Sequence, residues 1–392
     1  MSLISKGLRN YTVLSSLTRD VCSKFLNRRM IATGTANTNA KSPKSTLKLS
    51  ILGVGLGALV GTGYSIHQLN KPRGHILNEQ TTIPMLNEIE IPKITPSKKI
   101  RTVGDQSGLK LTLYQYQTCP FCCKVRAFLD YYGISYDVIE VDPVLRQAIK
   151  WSPYKKVPIL LAKVNEGYQP LNDSSMIISA LSSYLQDSDK ELHEVVKYYP
   201  YITFMGEGGV VKSEIMNRYF LMLDQRENSS RTVDEIKEER QWRKWTDSVL
   251  VHMLSPNVYR TREEALQAFS WFSDVGEWEQ HFPAWERYLM IYVGAFAMWM
   301  IGKRLKKRHN LKDDVRQSLY DECNYFAKAV RLKGTPFMGG NEPNLADLAV
   351  YGVLNSIEGC YAFKDLLNNS NIKTWYYSMK DVVQNHRGSA FA

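Results

Sequence analysis

Tyr-Gln-Tyr-Gln-Thr-Cys-Pro-Phe-Cys-Cys-Lys-Val-Arg, residues 114–126, joins a strand pattern to a helix pattern through a Cys-x-x-Cys pair. Before it, leucines at 111 and 113 alternate with polar residues, as they do on a half-buried strand. Pro120 suits the first turn of a helix, and apolar residues then recur at helical spacing up to Tyr132. Cys119 is therefore predicted to lie at a helix N-terminus, where the helix dipole and free N–H groups favour a thiolate.

The second cysteine of the pair extends this prediction. Cys122 lies one helical turn after Cys119, within reach as a resolving thiol or as a hydrogen-bond donor, and Lys124 and Arg126 add positive charge nearby. Two other interpretations are half of a zinc site and a pair of small buried residues. A zinc site usually needs a second pair of ligands, and the chain has no second Cys-x-x-Cys. The pattern favours thiol chemistry, with no metal site.

The residues that follow predict a known order of strands and helices. The predicted elements are a strand over 135–142, a helix over 144–151, strands over 157–161 and 168–171, and a helix from Asn172-Asp-Ser-Ser through Leu185. The resulting order, βαβαββα, is the thioredoxin-like plan, which we assign to residues 109–187. In that plan the proline at the position of Pro158 is cis and faces the cysteines. Asp173 and Ser174 are good helix caps, and a helix N-terminus there would also hold a carboxylate of a bound peptide such as glutathione.

The charge of the chain is concentrated at its N-terminus. The formal net charge is +11, of which residues 1–73 carry +10, with eleven Lys and Arg residues and one acid, Asp20. A basic tail of this kind does not indicate a folded nucleic-acid surface, so no nucleic-acid partner is expected. Residues 1–48 are also rich in Ser, Thr and Asn, which is typical of mitochondrial targeting segments. A disordered basic tail is the alternative.

Residues 49–70 have the length and composition of one membrane crossing. They contain no charged residue apart from an optional His67, and they carry Gly53, Gly57 and Gly61 at four-residue spacing. A glycine-rich linker is the alternative. Residues 71–108 contain prolines, mixed charge and no clear period, so they are predicted to be a linker.

Residues 188–392 are predicted to be helical. The stretch Tyr288–Gly302 is apolar throughout and runs into six residues of which five are basic; it is short for a membrane span, so a central buried helix is expected, with a dip into a membrane as the alternative. Asn344 is predicted to cap another helix, with Asp347 as its capping-box partner. The six cysteines form no secreted disulfide framework, which favours a reducing compartment.

A thioredoxin-like part followed by a helical part resembles the glutathione-transferase superfamily. Within it, the chain is similar to the membrane-associated prostaglandin E synthases from about residue 109 to the C-terminus. The motifs that carry this resemblance are Cys119-Pro-Phe-Cys122, Tyr154-Lys-Lys-Val-Pro-Ile-Leu, Asn172-Asp-Ser-Ser, Ser255-Pro-Asn-Val-Tyr-Arg-Thr261 and Pro336-Phe-Met-Gly-Gly.

The resemblance implies an activity and a membrane-associated homodimer. The activity is isomerisation of the endoperoxide prostaglandin H2, a small lipid, to prostaglandin E2. By resemblance, Cys119 is the essential thiol, with Tyr116 and Cys122 beside it. The location it implies, together with the basic leader, is a mitochondrial or Golgi membrane, with release to the cytosol after cleavage.

The resemblance also implies a glutathione site and leaves other activities open. The residues it assigns to glutathione, or to another thiol in its place, are Val157, Pro158, Asp173 and Ser174. Members of the family are also described as holding a glutathione–haem complex that breaks the endoperoxide down, so haem is a second expected cofactor. The same Cys119 would serve a glutaredoxin-like thiol oxidoreductase or a glutathione transferase. A membrane-tethered interaction protein is the alternative from another class, and the intact cysteine pair is evidence against it.

Overall fold

The computed structural model describes residues 79–165, 167–187, 190–205, 211–222, 231–309 and 311–391. The predicted leader, 1–48, and the predicted span, 49–70, lie outside these residues. Within the described ranges, no helix combines the length and the apolar character that a bilayer crossing needs.

In the described residues, eight strands form two separate sheets. The strands are β1 (Glu79–Thr81), β2 (Lys98–Ile100), β3 (Lys110–Gln115), β4 (Tyr136–Glu140), β5 (Ile159–Val164), β6 (Gly167–Asn172), β7 (Tyr201–Met205) and β8 (Val211–Ile215). The larger sheet has the order β2-β4-β3-β5-β6, in which β3 and β4 are parallel and the other pairs are antiparallel. The smaller sheet has the order β1-β7-β8 and is antiparallel.

Most of the described chain after β8 is helical. The α-helices are α1 (Pro120–Tyr131), α2 (Ser174–Gln186), α3 (Leu192–Val196), α4 (Val233–Trp245), α5 (Val251–Val258), α6 (Arg262–Val275), α7 (Trp278–His281), α8 (Ala284–Tyr288), α9 (Ala295–Arg308), α10 (Val315–Lys333), α11 (Leu345–Asn355), α12 (Tyr361–Asn369) and α13 (Lys373–Gln384). Short π-helical stretches, Thr246–Leu250 and Leu289–Gly294, make α4–α5 and α8–α9 continuous.

The thioredoxin-like plan is confirmed, with one element different. Residues 144–151 do not form the predicted helix; only the single 3₁₀ turn Gln147–Ile149 is present. The side chain of Asp142 accepts hydrogen bonds from the backbone N–H groups of Leu145, Arg146 and Gln147, which closes a turn instead of starting a helix. Arg146 takes a left-handed conformation with φ of 51°, which an α-helix does not allow.

Two further differences concern segments without a clear sequence period. The expected linker, 71–108, contributes β1 and β2 to the two sheets, and its Ile91 and Ile94 pack against the second hydrophobic cluster of the molecule. The part from residue 188 is not wholly helical, because β7 and β8 form a hairpin within it. Strands of three to five residues are too short to show a period of two clearly.

The apolar stretch 288–302 is helical, but the expectation of a buried helix was wrong. Only Met290, Ala295 and Gly302 of this stretch are buried. Ile291, Met298 and Trp299 are half-buried, and the other large apolar side chains of the stretch are exposed.

The helix α11 packs closely against α1, the helix that carries the cysteines. The N-cap Asn344 of α11 accepts from the N–H groups of Ala346 and Asp347, and the carboxylate of Asp347 reaches back to the N–H of Asn344, so the predicted capping box is present. Gly352 of α11 lies directly against the backbone of α1, because an added Cβ there would be 2.6 Å from the Cα of Lys124. The contact fixes the helix that carries the cysteines.

Candidate active site

Cys119 is placed at the start of α1 by the turn that follows β3. It is the N-cap residue, with extended backbone angles, and Pro120 is the first helical residue. Its N–H donates to the carbonyl of Tyr116 at 3.1 Å, and its carbonyl accepts the N–H of Cys123 at 2.9 Å. Its side chain is half-buried, whereas Cys122 is fully buried. Of the two thiols, Cys119 is therefore the one that a substrate can reach.

The surroundings of Cys119 favour its thiolate. A hydrogen bond from the Cys122 thiol lowers the pKa of Cys119 below its ordinary value, and the N–H groups of Cys122 and Phe121 and the charge of Arg126 lower this pKa further. These effects outweigh burial. Burial raises the pKa of Cys122 well above its ordinary value, although the N–H of Tyr116 donates to its sulfur. The pair is therefore asymmetric, with the charge on Cys119 and the proton on Cys122.

The two basic residues of α1 have different partners. Lys124 is buried and pairs with Asp247 at 2.5 Å, and it also donates to Ser175 at 2.9 Å. Its charge is thus matched away from the cysteines, and the expectation that it supports the thiolate was wrong. Arg126 donates to the carbonyl of Gln117 at 2.7 Å and does contribute to lowering the pKa of Cys119.

The third thiol, Cys123, lies on another face of α1. Arg126 lies 3.0 Å from its sulfur, and the sulfur is 3.4 Å from the carbonyl of Gln117. Burial raises the pKa of Cys123 to about 11. It is a protonated, buried thiol that completes the packing around Arg126.

Tyr116 stands beside the cysteine pair in an apolar cluster. This cluster contains Cys122 and Val157, with Cys119 and Tyr116 partly buried against it. Burial raises the pKa of Tyr116, so its hydroxyl stays protonated at neutral pH. The aliphatic side of the cluster includes Ile91, from the segment that the sequence had suggested to be a linker.

The residues assigned to glutathione by resemblance line one cavity of about 250 Å³. The Val157–Pro158 peptide bond is cis, as the thioredoxin-like plan implies. Val157 belongs both to this cavity and to the cluster around the cysteines, and it therefore joins the two groups of predicted site residues. Asp173 and Ser174 complete the predicted set in the cavity.

Asp173 is the N-cap of α2 and has an unusual backbone. Its carboxylate accepts the N–H groups of Ser175 and Met176 at 2.9 and 3.2 Å. Its φ of 71° lies in the left-handed region, where a residue other than glycine is strained. Arg218, from the segment after β8, approaches its second oxygen at 3.4 Å. Asp173 therefore has two sets of contacts: it caps the first turn of α2, and it pairs with Arg218 beside the cavity.

Sequence reasoning missed part of the cavity wall. The additional lining residues are Phe121, Tyr154, Lys156, Arg218 and Asp247. Lys156 directly precedes Val157 and could have been found from its position beside the cis-proline. Arg218 and Asp247 come from distant segments and have no local signal. Together with Asp173, they give the cavity both positive and negative groups.

No cluster of three or more His, Cys, Asp or Glu residues within the described ranges has the arrangement of a metal site. The side chains of the site supply thiols, a phenol, carboxylates and cations.

Comparison with known proteins finds proteins that this chain is similar to. The glutaredoxin family model matches residues 111–164, which hold both cysteines and the cis-proline. Solved structures with similar folds include glutathione transferase F7 from Populus trichocarpa, at 12% identity and a TM-score of 0.39 over 71% of this chain and 99% of that one. A glutathione S-transferase III in apo form has 12% identity and a TM-score of 0.39 over 71% of this chain and 96% of that one.

The sequence identity to two other relatives is much higher. Prostaglandin E synthase 2 from Mus musculus is 50% identical over 285 residues, which are 71% of this chain and 71% of the relative. Prostaglandin E synthase 2 from Danio rerio is 48% identical over 280 residues, covering 71% of this chain and 72% of the relative. The chain is therefore a member of the prostaglandin E synthase 2 family, as its motifs indicated.

Proposed function

We propose that this protein is a thiol-dependent prostaglandin E synthase, which isomerises the endoperoxide prostaglandin H2 to prostaglandin E2. The observation that carries the proposal is the half-buried Cys119, whose thiolate is favoured by the Cys122 thiol, in a member of the prostaglandin E synthase 2 family. A low-pKa thiolate that a substrate can reach is the form of cysteine that acts as a nucleophile.

The reaction needs one nucleophile and two proton transfers. The Cys119 thiolate attacks one peroxide oxygen, forming an S–O bond and breaking the weak O–O bond. The departing oxygen takes a proton and becomes the hydroxyl. Loss of the C–H proton beside the S–O oxygen then forms the ketone and expels the thiolate, so there is no net oxidation or reduction.

Two groups are suited to give the first proton. Tyr116 and Cys122 both stay protonated near neutral pH because burial raises the pKa of each. Cys122 already donates to Cys119, so it also orients the nucleophile. In this proposal Cys119 is the catalytic nucleophile, and Tyr116 and Cys122 supply the proton and orient the thiol.

Glutathione is the proposed cofactor in the cavity beside the thiol. Glutathione carries two carboxylates and one ammonium group. Lys156, Arg218 and the N-terminus of α2 offer positive charge to the carboxylates, and Asp173 offers an acceptor to the ammonium group. Val157, with the cis-proline after it, is the expected backbone partner of the peptide. A haem held through the glutathione thiol would need no haem ligand from the chain itself.

The membrane attachment and the oligomeric state are also part of the proposal. Residues 49–70 anchor the chain in a mitochondrial or Golgi membrane, and the protein acts as a homodimer, with cleavage releasing a cytosolic form. The length of residues 49–70 and their lack of Asp, Glu, Lys and Arg support the anchor.

A glutaredoxin-like thiol oxidoreductase is the second candidate. The match of the glutaredoxin family over residues 111–164 and the contact between Cys119 and Cys122 favour it. The two activities can be distinguished by experiment, because a dithiol reductase passes through a Cys119–Cys122 disulfide and the isomerisation does not.

The test of function is product analysis with prostaglandin H2, using the purified protein with and without glutathione and haem. Prostaglandin E2 as the main product supports the isomerase. A hydroxy acid with malondialdehyde indicates haem-dependent breakdown. Disulfide exchange without turnover of prostaglandin H2 supports the oxidoreductase.

The glutathione site has its own test. Asp173→Ala removes the cap of α2 and the contact with Arg218, so we expect weaker glutathione binding and a loss of about 1 kcal/mol in the free energy of unfolding. Isothermal titration and thermal unfolding measure the two effects. Unchanged glutathione affinity with a lower melting temperature would leave Asp173 only its capping role.

A further inference from the structure

Arg146 is a cation without a carboxylate partner at the edge of the cluster that holds the cysteines. It lies in the turn after β4, and Ala148 and Ile149 of the same turn pack in this cluster together with Tyr116. The side chain of Arg146 is exposed. Among the described residues, that side chain forms one hydrogen bond, from Nη1 to the carbonyl of Lys155 at 3.2 Å, and no salt bridge. Most of the N–H donors of its guanidinium are therefore available to a ligand.

The turn holds Arg146 in place through its backbone. The carboxylate of Asp142 accepts the N–H of Arg146 at 2.8 Å and that of Gln147 at 3.0 Å. The φ of Arg146, 51°, lies in the left-handed region, where a residue other than glycine is strained, and such strain concentrates at functional sites. Burial raises the pKa of Glu286 in α8, and a hydrogen bond with Asp142 raises this pKa further, so Glu286 is the proton donor of this pair. The carboxylate of Asp142 is thus engaged by the turn and by Glu286.

The charge of Arg146 acts on the phenol beside the cysteines. Burial has the largest effect on the pKa of Tyr116 and raises it, whereas the charge of Arg146 has the largest effect in the opposite direction. The guanidinium is thus close enough to Tyr116 to interact with it electrostatically. The cations that line the proposed glutathione cavity are Lys156 and Arg218. Arg146 is therefore a cation near the phenol that glutathione is not expected to occupy.

We propose, on the basis of the function proposed above, that Arg146 binds the carboxylate of the lipid substrate while the endoperoxide lies beside Cys119 and Tyr116. Prostaglandin H2 carries two chains, of which one ends in a carboxylate that is ionised at neutral pH. A guanidinium can form two parallel hydrogen bonds with a carboxylate, which give both affinity and orientation. The apolar cluster beside the thiols, with Ile91 and Ile94 at its edge, is suited to the hydrocarbon of the substrate. Arg146 is thus the residue that recognises the substrate as a free fatty acid.

Two other roles for Arg146 predict different results. If Arg146 acts only by changing the acidity of Tyr116, its loss changes the reaction of charged and uncharged substrates alike. If Arg146 binds glutathione, its loss weakens glutathione binding for both substrates. The proposed role alone makes the effect depend on the substrate carboxylate. The methyl ester of the substrate separates these roles, because it keeps both chains and the endoperoxide but has no charge.

Binding of a stable analogue tests the proposal without turnover. The probe is a prostaglandin H2 analogue with a carbon atom in place of one peroxide oxygen, used as the free acid and as its methyl ester. Isothermal titration of the full chain, in a non-ionic detergent with glutathione, gives both Kd values. We expect the acid to bind about ten-fold more tightly than the ester, as one charge-assisted contact allows. In Arg146→Gln this ratio is expected to fall to about one, with the affinity for the ester unchanged.

Two further variants are the controls. Lys150→Gln removes another exposed cation at the end of the same turn and is expected to leave the ratio unchanged. Arg146→Gly removes the guanidinium and also relieves the left-handed backbone, so its fold is expected to be at least as stable as that of the unmodified protein. It is expected to lose the ratio as Arg146→Gln does. Thermal unfolding followed by circular dichroism checks the fold of each variant.

Steady-state rates of prostaglandin E2 formation give a second readout. In Arg146→Gln, the KM for prostaglandin H2 is expected to rise about ten-fold, while kcat stays within about two-fold of the unmodified protein. The KM for the methyl ester is expected to stay the same. A lower kcat for acid and ester alike, with the ratio of Kd values unchanged, would assign Arg146 to Tyr116 and overturn the proposal. Weaker glutathione binding with the same ratio would assign Arg146 to glutathione and would also overturn it.

The binding data also separate this proposal from the proposed isomerase activity. Equal Kd values for acid and ester in the unmodified protein would overturn the carboxylate site even if prostaglandin E2 is formed. A ratio that both Arg146 variants keep, or that Lys150→Gln also removes, would overturn it as well. If the unmodified protein forms no prostaglandin E2 but its preference for the acid depends on Arg146, the isomerase activity is contradicted and the carboxylate site is supported.

Discussion

At the scale of single residues, the function rests on which of two neighbouring thiols carries the charge. Cys119 accepts a hydrogen bond from Cys122, and this bond is the largest effect that lowers its pKa. Cys122 is buried and keeps its proton. In the proposed isomerisation, Cys122 acts as a hydrogen-bond donor to Cys119 and as a source of a proton. It does not form a disulfide in this reaction.

The role of Cys122 predicts a shift in the pH dependence of Cys119 reactivity. In Cys122→Ala the donor is lost, so the pKa of Cys119 rises and a higher pH is needed to form the same fraction of thiolate. Cys122→Ser keeps an O–H donor and is expected to shift the profile less. Alkylation of Cys119 by iodoacetamide, followed by mass spectrometry between pH 5 and 10, measures the midpoints. The same midpoint in all three proteins would show that the hydrogen bond does not control the thiolate.

Local sequence patterns identified a residue of the site only where its neighbours in the sequence determine its role. Cys119 and Asp173 both stand at helix starts, so cap and dipole arguments identify them. Arg218 and Asp247 reach the cavity from segments far along the chain, and nothing near them in sequence indicates it. The charge of Lys124 was misassigned because its partner, Asp247, is brought to it only by the packing of the helices.

At the scale of elements, the position of the thiols depends on the contact between α1 and α11. Gly352 allows this contact, because an added Cβ would be 2.6 and 2.7 Å from the Cα and N atoms of Lys124 and 2.8 Å from the carbonyl oxygen of Cys123. These are backbone atoms and cannot rotate away. The helix that carries Cys119 is therefore held by a backbone-to-backbone contact.

Substitution of this glycine is expected to disturb both stability and activity. Gly352→Ala should lower the free energy of unfolding by about 1–3 kcal/mol, because the added methyl group forces α11 away from α1. Gly302→Ala, in α9, is the matched control. Its added Cβ would have ordinary contacts of 3.5 Å or more, so the gain in helix propensity should raise stability by about 0.5–1 kcal/mol. Urea unfolding gives both values, and equal effects would mean that the contact is not tight.

The elements also show why sequence patterns succeed or fail here. The strand β3 and the helix α1 were predicted because each is long enough to show its period, and β5 was predicted from its run of apolar residues. The three-residue strands β1 and β2 are formed by pairing with distant strands and have no period of their own. The pattern of α8–α9 showed an apolar helix, but an apolar face gives no information about whether the chain itself covers it.

At the scale of the whole molecule, the segment before the thioredoxin-like plan is part of the fold. The strand β2 extends the large sheet beside β4, and Ile91 and Ile94 pack against the cluster that holds the cysteines. The folded part of the chain that carries the site thus includes residues well before 109.

Truncation measures the contribution of this segment. A chain starting at residue 75, where the compact unit 75–392 begins, is expected to fold and to keep activity. A chain starting at Ser107 lacks β1, β2 and the isoleucines, so its free energy of unfolding is expected to be lower by about 3 kcal/mol. Thermal and urea unfolding of both chains provide the comparison. Equal stability of the two would mean that residues 75–106 pack only weakly.

The central claim is that the thiolate of Cys119 performs the isomerisation, and one measurement tests it most directly. The rate of prostaglandin E2 formation from prostaglandin H2 is compared for the unmodified protein, Cys119→Ser and Cys122→Ser, with circular dichroism to confirm the fold of each. We predict that Cys119→Ser loses all prostaglandin E2 formation and that Cys122→Ser keeps substantial activity. An isomerisation has no net oxidation or reduction, so it does not need a second thiol to form a disulfide. Full activity in a folded Cys119→Ser protein, or equal and complete loss in both variants, would contradict the account.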